Sequence, residues 1–172
     1  MIKIIPYCEI DGVRTFADSE IIDIYNQMEM VDNVFIDSQI TSAAEFLQAM
    51  KYGDNHLYVI MNDADLVAIA WINRFEGKLA RLHFSFIDLE YHGKVAVGKK
   101  LVGDILNVKN SKNEYVFDML VGVVPENNKK ACEYVQAVGL IKIGVLPYGS
   151  YNRFKGKSEA SMIGYLTRGS IL

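Results

Sequence analysis

Cysteine, proline and tryptophan are scarce, with two, three and one in 172 residues. Cys8 and Cys132 lie far apart and show no metal-ligand spacing, so neither a disulfide framework nor a cysteine-held metal is indicated. Two free thiols suit a reducing compartment, and a cytoplasmic location with no bound metal is the expectation. The prolines are not gathered into a linker, and no Pro/Gly/Ser-rich tract, repeat or low-complexity segment interrupts the chain. Residues 1–172 therefore read as a single domain with enough length for a real core. No apolar run approaches the roughly 18 residues of a membrane span. The opening "MIKIIPYCEIDG" has neither the apolar core nor the small-residue cleavage site of a signal peptide, so no membrane partner is expected. Basic residues interleaved with aromatics are also missing, which argues against nucleic acid as a partner.

What is present is ordinary in amount and uneven in placement. The chain is 51% hydrophobic and 23% charged, as soluble globular proteins are. The net charge of −3 conceals two halves of opposite sign. Residues 1–90 carry 15 acidic and 6 basic side chains, a net of −9, and residues 91–172 carry 6 acidic and 12 basic, a net of +6. Such asymmetry fits either two complementary faces or a second half that handles an anion.

Hydrophobic periodicity supplies the elements. Ile2–Ile5 and Glu9–Arg14 read as short strands. Asp18 or Ser19 can cap a helix to about Met30 with Ile21, Ile22, Tyr25 and Met28 as its stripe, and Thr41 or Ser42 a second helix that stops at Gly53. The period then changes to strands at His56–Asn62, Leu66–Arg74 and Lys78–Asp88. The third is expected to place Ala80, Leu82, Phe84 and Phe86 on one face and Arg81, His83 and Ser85 on the other. A helix follows "YHGKVAVG", with Val97, Leu101, Ile105 and Val108 as its core stripe. Then come a strand Tyr115–Val124, a helix Glu126–Val138 started by Pro125 and stopped by Gly139, and strands Leu140–Leu146 and Ser158–Thr167 around a basic loop. The economical solution is an α+β fold, a largely antiparallel sheet with helices on its faces and one parallel strand-helix-strand unit near residue 100.

Two stretches carry a family likeness. "FIDLEYHGKVAVGKKLVGDIL" is similar to the strand, glycine-rich turn and helix of the GNAT superfamily of acyl-CoA-dependent N-acetyltransferases. "VVPENNKKACEYVQAVGLIKIG" resembles the family's second signature, with Asn128, Ala131, Gly139 and Leu140 at its spacing. The resemblance spans roughly Leu57–Leu166 and implies a mixed, mostly antiparallel twisted sheet of six to seven strands with about four helices. It also implies parallel central strands that splay apart, acetyl-CoA as co-substrate, a small-molecule or peptide amine as acceptor, and a homodimer. In that family the pyrophosphate rests on backbone N–H groups at the helix start, where the helix dipole favours an anion. The pantetheine arm fills the splay, which Ile87 and Val121–Val124 would line here, and Asn128 would bond the arm.

The turn departs from the family pattern. Aligned without a gap, His92 takes the Arg/Gln position, and Val95 and Val97 take the glycine positions. With one inserted residue, Gly93 and Gly98 serve instead. Lys94, Ala96 and Lys99 complete the candidate cradle, and an exposed helix start with solvated lysines is the plainer alternative. A later tyrosine, the family's general acid, falls at Val135, with Tyr134 one residue earlier and about 100° round the helix.

For catalysis, His83 is the candidate base, since histidine titrates near neutrality. Tyr134 is the candidate acid, with packing as its competing role. Asp88 and Glu90 are weaker bases by position, and Cys132 suits a small buried hydrophobe better than a nucleophile. Function is thus left between an N-acetyltransferase working by direct attack, an inactive GNAT-like binding or assembly module, and an unrelated α+β ligand-binding domain.

Overall fold

A computed structural model describes residues 1–31, 40–52 and 54–171. The strands are β1 (Ile2–Pro6), β2 (Glu9–Ile10), β3 (Val13–Arg14), β4 (His56–Asn62), β5 (Asp65–Glu76), β6 (Leu79–Phe86), β7 (Met119–Pro125), β8 (Ile141–Asn152) and β9 (Lys157–Leu166). The helices are α1 (Asp18–Glu29), α2 (Ala43–Tyr52), α3 (Lys94–Leu106) and α4 (Lys129–Val138). Seven strands form one sheet in the order β1-β4-β5-β6-β7-β9-β8, and β2 and β3 form a separate hairpin. Where pairing is resolved the sheet is antiparallel except between β6 and β7, which run parallel. This is the expected α+β architecture, and Gly53, the expected stop of the second helix, lies outside the described residues.

The chain groups into two compact units, Met1–Asn73 with His83–Tyr91, and Arg74–Leu82 with His92–Leu172. In the first, α1 and α2 pack on strand side chains. Ile21, Tyr25 and Met28 from α1, Phe46 and Met50 from α2, and Leu57, Val59, Ile69 and Trp71 from the strands form one buried cluster. Phe46 sits between Tyr25 (centroids 5.5 Å apart) and Trp71 (6.4 Å, edge-on). Full burial of each such side chain contributes about 1.5–3 kcal/mol. Lys51 Nζ reaches Asp18 at 2.6 Å and ties the end of α2 to the start of α1.

In the second unit β7 pairs with β9, and Gly122 lies opposite Gly164. A Cβ at either glycine would come within 3 Å of the Leu140 side chain, so the pair makes room for that leucine. Val97, Leu101, Val102, Ile105 and Leu106 are the buried face of α3. Arg168 closes the far end of that helix, donating to Leu106 O at 2.8 Å and Phe117 O at 2.5 Å and pairing with Asp118 at 2.6 Å.

Several boundaries move from their expected places. Glu9–Arg14 is a hairpin, because Asp11 and Gly12 both adopt positive φ (52° and 78°), the requirement of a tight two-residue turn. Neither Asp18 nor Ser19 caps α1. Ala17 precedes the helix, and its N–H donates to Glu20 Oε2 at 2.6 Å. Ile24, rather than Ile22, completes the buried stripe. Val108 falls beyond α3 and is exposed, whereas Val102 and Leu106 join the core.

The start of the seventh strand shifts to Met119, because Tyr115 bridges back to Lys109 in a turn. Pro125 ends that strand opposite Ser161 instead of starting a helix, and α4 begins after Asn128. The basic loop is mostly strand. β8 continues through Pro147 and Gly149 to Asn152, with register shifts at Lys142/Gly144 and Leu146/Ser150. In β6 the two-faced alternation gives way to burial of Ala80 and Ser85 with the rest half-buried, and the side carrying His83 is covered by Trp71.

Candidate active site

The four helices begin in different ways. In α1 the first turn carries Asp18 and Glu20. In α2 the Glu45 carboxylate accepts from the Thr41 N–H at 2.7 Å and its hydroxyl at 2.8 Å, and Ser42 Oγ accepts from Glu45 N at 3.2 Å. The two Thr41 bonds hold the Glu45 carboxyl below its ordinary value of 4.5. In α4 the Asn128 side chain accepts from Ala131 N at 3.1 Å. Of these four α-helices, α3 alone has neither a side-chain cap bond nor an acid in its first turn. It starts from Gly93 in the left-handed region (φ 93°), a conformation glycine adopts without strain. First-turn N–H groups have no acceptor inside their own helix and carry the positive end of the dipole. In α3 no side-chain oxygen of the first turn neutralises that end.

The candidate cradle residues divide between surface and core. His92, Gly93, Val95 and Ala96 are exposed, and Lys94 and Lys99 are half-buried. Val97 and Gly98 are buried, facing the interior. A Cβ on Gly98 would stand 2.4 Å from Tyr134 Oη and 2.5 Å from Val138 Cγ2, so this glycine lets α3 approach α4. Tyr134 in turn donates to the Lys94 carbonyl at 3.3 Å, in the first turn of α3. Burial pushes its phenol well above the ordinary value of 10. One contact set thus joins Lys94, Gly98 and Tyr134. Asn128 stands at the head of α4 with its carbonyl oxygen engaged as the cap. Cys132, one turn further, is buried, and burial raises its thiol above the ordinary 9.0.

The parallel ladder beside this helix is short. It pairs Leu79 with Met119, Ala80 with Leu120 and Arg81 with Val121, and no further pair is described, although β7 runs on to Pro125. The β7 backbone from Gly122 to Pro125 is paired with β9 on its other side.

In the first unit, His83 is stacked on Trp71, with ring centroids 4.8 Å apart and planes 2° from parallel. Its Nε2 lies 3.1 Å from Asn73 Oδ1. Ile87 packs against the aromatic cluster, and its N–H and that of Asp88 both donate to Val67 O. Asp88 and Glu90 are exposed, and Asp88 Oδ1 accepts from Glu90 N at 3.0 Å. Among the described residues no group of three or more His, Cys, Asp or Glu is placed to hold a metal, and no helix is long and apolar enough to cross a membrane.

No family model and no curated protein sequence matches the chain. Solved structures do match. A variant of spermidine N-acetyltransferase SpeG from Vibrio cholerae superposes with a TM-score of 0.69 at 13% identity, over 99% of this chain and 96% of that one. The microcin C7 self-immunity acetyltransferase MccE, in complex with acetyl-CoA and AMP, gives 0.65 at 15% identity over 88% of each chain. The ribosomal L7/L12 α-N-protein acetyltransferase RimL, in complex with coenzyme A, gives 0.67 at 11% identity, over 88% of this chain and 90% of that one.

The fold is that of the GNAT acetyltransferases.

Within this GNAT fold, α3 and α4 are the helices of the two sequence signatures, and β6 and β7 are the parallel pair. Sequence reasoning did not find Asn73 and Asn55, whose amides bond each other and reach His83. Their only sequence signal is an asparagine at the polar end of a strand, which is too common to single out. It also overlooked that the first turn of α3 lacks an acid, although "KVAV", without Asp, Glu, Ser or Thr, was there to be compared with "DSE" and "TSAAE".

Proposed function

We propose that this chain is an acyl-CoA-dependent N-acetyltransferase that moves an acetyl group from acetyl-CoA to a primary amine by direct attack. The observation that carries the reading is the start of α3, where Gly93, Val95 and Ala96 are exposed residues and the first turn holds no acid. A pyrophosphate supplies the missing negative charge there through backbone bonds, and Lys94 and Lys99 add positive charge. Val95 points outward and leaves the backbone approachable, and Val97 is turned into the core, so neither valine needs to lie under the phosphate. The short β6–β7 ladder supports the reading too, since backbone groups of Gly122–Pro125 on the side away from β9 can serve the pantetheine arm and thioester. Asn128 can bond the arm through its amide N–H₂ while its oxygen caps α4.

In this reading the neutral amine attacks the thioester carbonyl. The C–S bond breaks after the new C–N bond forms, and His83 takes the amine proton. Catalysis then rests chiefly on positioning. Tyr134 braces the first turn of α3, and its proton reaches the leaving thiolate only if the hydroxyl releases the Lys94 carbonyl. The similar structures act on spermidine and on a protein α-amine, which supports an amine acceptor, and the net −9 of residues 1–90 favours a cationic one. The test is release of free CoA thiol from acetyl-CoA over spermidine, a lysine peptide and a peptide with a free N-terminus, with the acetylated product read by mass. Turnover above the protein-free rate is expected. Acetyl-CoA binding without turnover on any of these amines would favour the binding-module reading, which Val135 at the family's tyrosine position also suits.

A further inference from the structure

Glu159 of β9 gathers donors from two parts of the chain. β7 stays paired with β9 as far as Pro125 opposite Ser161, and the Glu126 N–H then donates to Ala160 O at 2.9 Å. The chain next turns into α4, with the Asn128 N–H donating back to Pro125 O at 3.0 Å. Asn127, exposed in that turn, donates through Nδ2 to Glu159 Oε2 at 2.9 Å. The bond ties the turn to β9 one residue before Asn128, whose side chain caps the helix. From the other side, Asn152 Nδ2 donates to the same Oε2 at 3.1 Å and Lys155 Nζ to Oε1 at 2.8 Å. Asn152 is buried, and its own oxygen is taken by the N–H groups of Phe154 and Lys155 at 3.1 Å each, so Nδ2 is what it presents to Glu159.

An ionised carboxylate only accepts, so it can serve an ammonium with one oxygen and two amides with the other. Lys155 and then Asn152 hold this carboxyl below its ordinary value of 4.5. The donors differ in shelter. The Glu159 side chain is 14% exposed and that of Lys155 53%, so the ammonium can leave for water while the buried Asn152 amide cannot.

We propose that Glu159 is a positioning residue that pins the turn between β7 and α4 through Asn127, and so sets the place from which Asn128 meets the pantetheine arm of acetyl-CoA. The part played toward acetyl-CoA rests on the acetyltransferase reading; the anchoring of the α4 start does not. Glutamine at this position would turn its NH₂ toward the exposed Lys155, which can withdraw, and keep its oxygen for Asn127 and Asn152. Glu159→Gln therefore preserves the anchor without the charge, and Glu159→Ala removes both.

The tests are a calorimetric titration of acetyl-CoA and amide hydrogen exchange of the full chain. Glu159→Ala and Asn127→Ala each weaken acetyl-CoA about 10-fold, the scale of one hydrogen bond, and Glu159→Gln stays close to wild type. In an Asn128→Ala background Glu159→Ala weakens acetyl-CoA no further, because it acts through that side chain. Exchange of the Ala131 N–H, which Asn128 Oδ1 holds at 3.1 Å, is faster in Glu159→Ala than in wild type, whereas the Val97 N–H of α3 keeps its rate. Unchanged affinity in Glu159→Ala, a Glu159→Gln as weak as Glu159→Ala, or a full further loss in the Asn128→Ala background overturns the assignment toward acetyl-CoA. Unchanged Ala131 exchange overturns the anchoring. Absence of acetyl-CoA binding in wild type overturns the acetyltransferase reading instead, and the exchange rates then decide the anchoring alone. If Glu159→Ala does not fold, Asn127→Ala replaces it in every comparison, since it leaves the Asn152 and Lys155 bonds in place.

Discussion

The starts of α2 and α3 answer the same physical problem in opposite ways. At α2, the Ser42 hydroxyl accepts from the Glu45 N–H of the first turn, and the Glu45 carboxylate, held by Thr41, brings negative charge to the positive end of the dipole. At α3 the chain offers a left-handed glycine, a lysine, a valine and an alanine, with no acid in the first turn. A helix that completes its own start is a structural part. One that does not, on an exposed turn, suits an anion, and the difference lies in two or three residues rather than in a glycine count.

The comparison breaks most severely at the contact that seats α3. Gly98→Val puts a branched side chain where even a Cβ meets Tyr134 Oη at 2.4 Å and Val138 Cγ2 at 2.5 Å. Overpacking of this kind costs about 2–3 kcal/mol. Thermal denaturation should show a fall in Tm of roughly 4–12 °C, taking about 2–4 °C per kcal/mol in a domain of this size. An unchanged Tm would mean that α3 and α4 are not held through this glycine.

Asn128→Ala is expected to cost less, about 1 kcal/mol for the lost α4 cap, read from chemical denaturation. It should also weaken acetyl-CoA binding, because the same side chain is assigned the pantetheine arm. Loss of stability with undiminished affinity would reduce Asn128 to a cap. The smallest effect belongs to α2. The Thr41 N–H and hydroxyl hold the folded pKa of Glu45 below 4.5, so its contribution is present above that value and is lost as pH falls through the lower folded one. Wild type should therefore melt above Glu45→Gln at neutral pH, and the two curves should converge as pH falls below 4.5. A gap that persists at low pH would contradict this cap.

Most of the fold was legible because its periodicities are long. The hairpin of β4 and β5, the α3 stripe from Val97 to Ile105 and the order of elements around "GKVAVG" follow from spacing alone. Legibility failed where one residue type serves two purposes. Pro125 is as good a helix start as a strand end, and only its pairing with Ser161 decides between them. Pro147 and Gly149 look like a loop, yet β8 accommodates them at a register shift, with Gly149 required because Ser161 Cβ lies 2.6 Å from where its own Cβ would be. In the candidate site, "YHGKVAVG" showed its residues but not their directions. That Val97 and Gly98 turn inward while Val95 and Ala96 face out depends on the phase of α3 against Tyr134, and the amide chain from Asn55 to His83 joins three segments that no local pattern connects.

The most direct measurement is a calorimetric titration of acetyl-CoA into wild type and into Ala96→Asp. The new carboxylate completes the first turn of α3 as Glu45 completes that of α2, and it should stabilise the free protein by about 0.3–1 kcal/mol. It should also weaken acetyl-CoA at least 10-fold, about 1.4 kcal/mol, while ligand at 100 times Kd raises wild-type stability by about 2.7 kcal/mol. No heat and no Tm shift in wild type at millimolar acetyl-CoA, or equal affinity in the two proteins, would contradict the account.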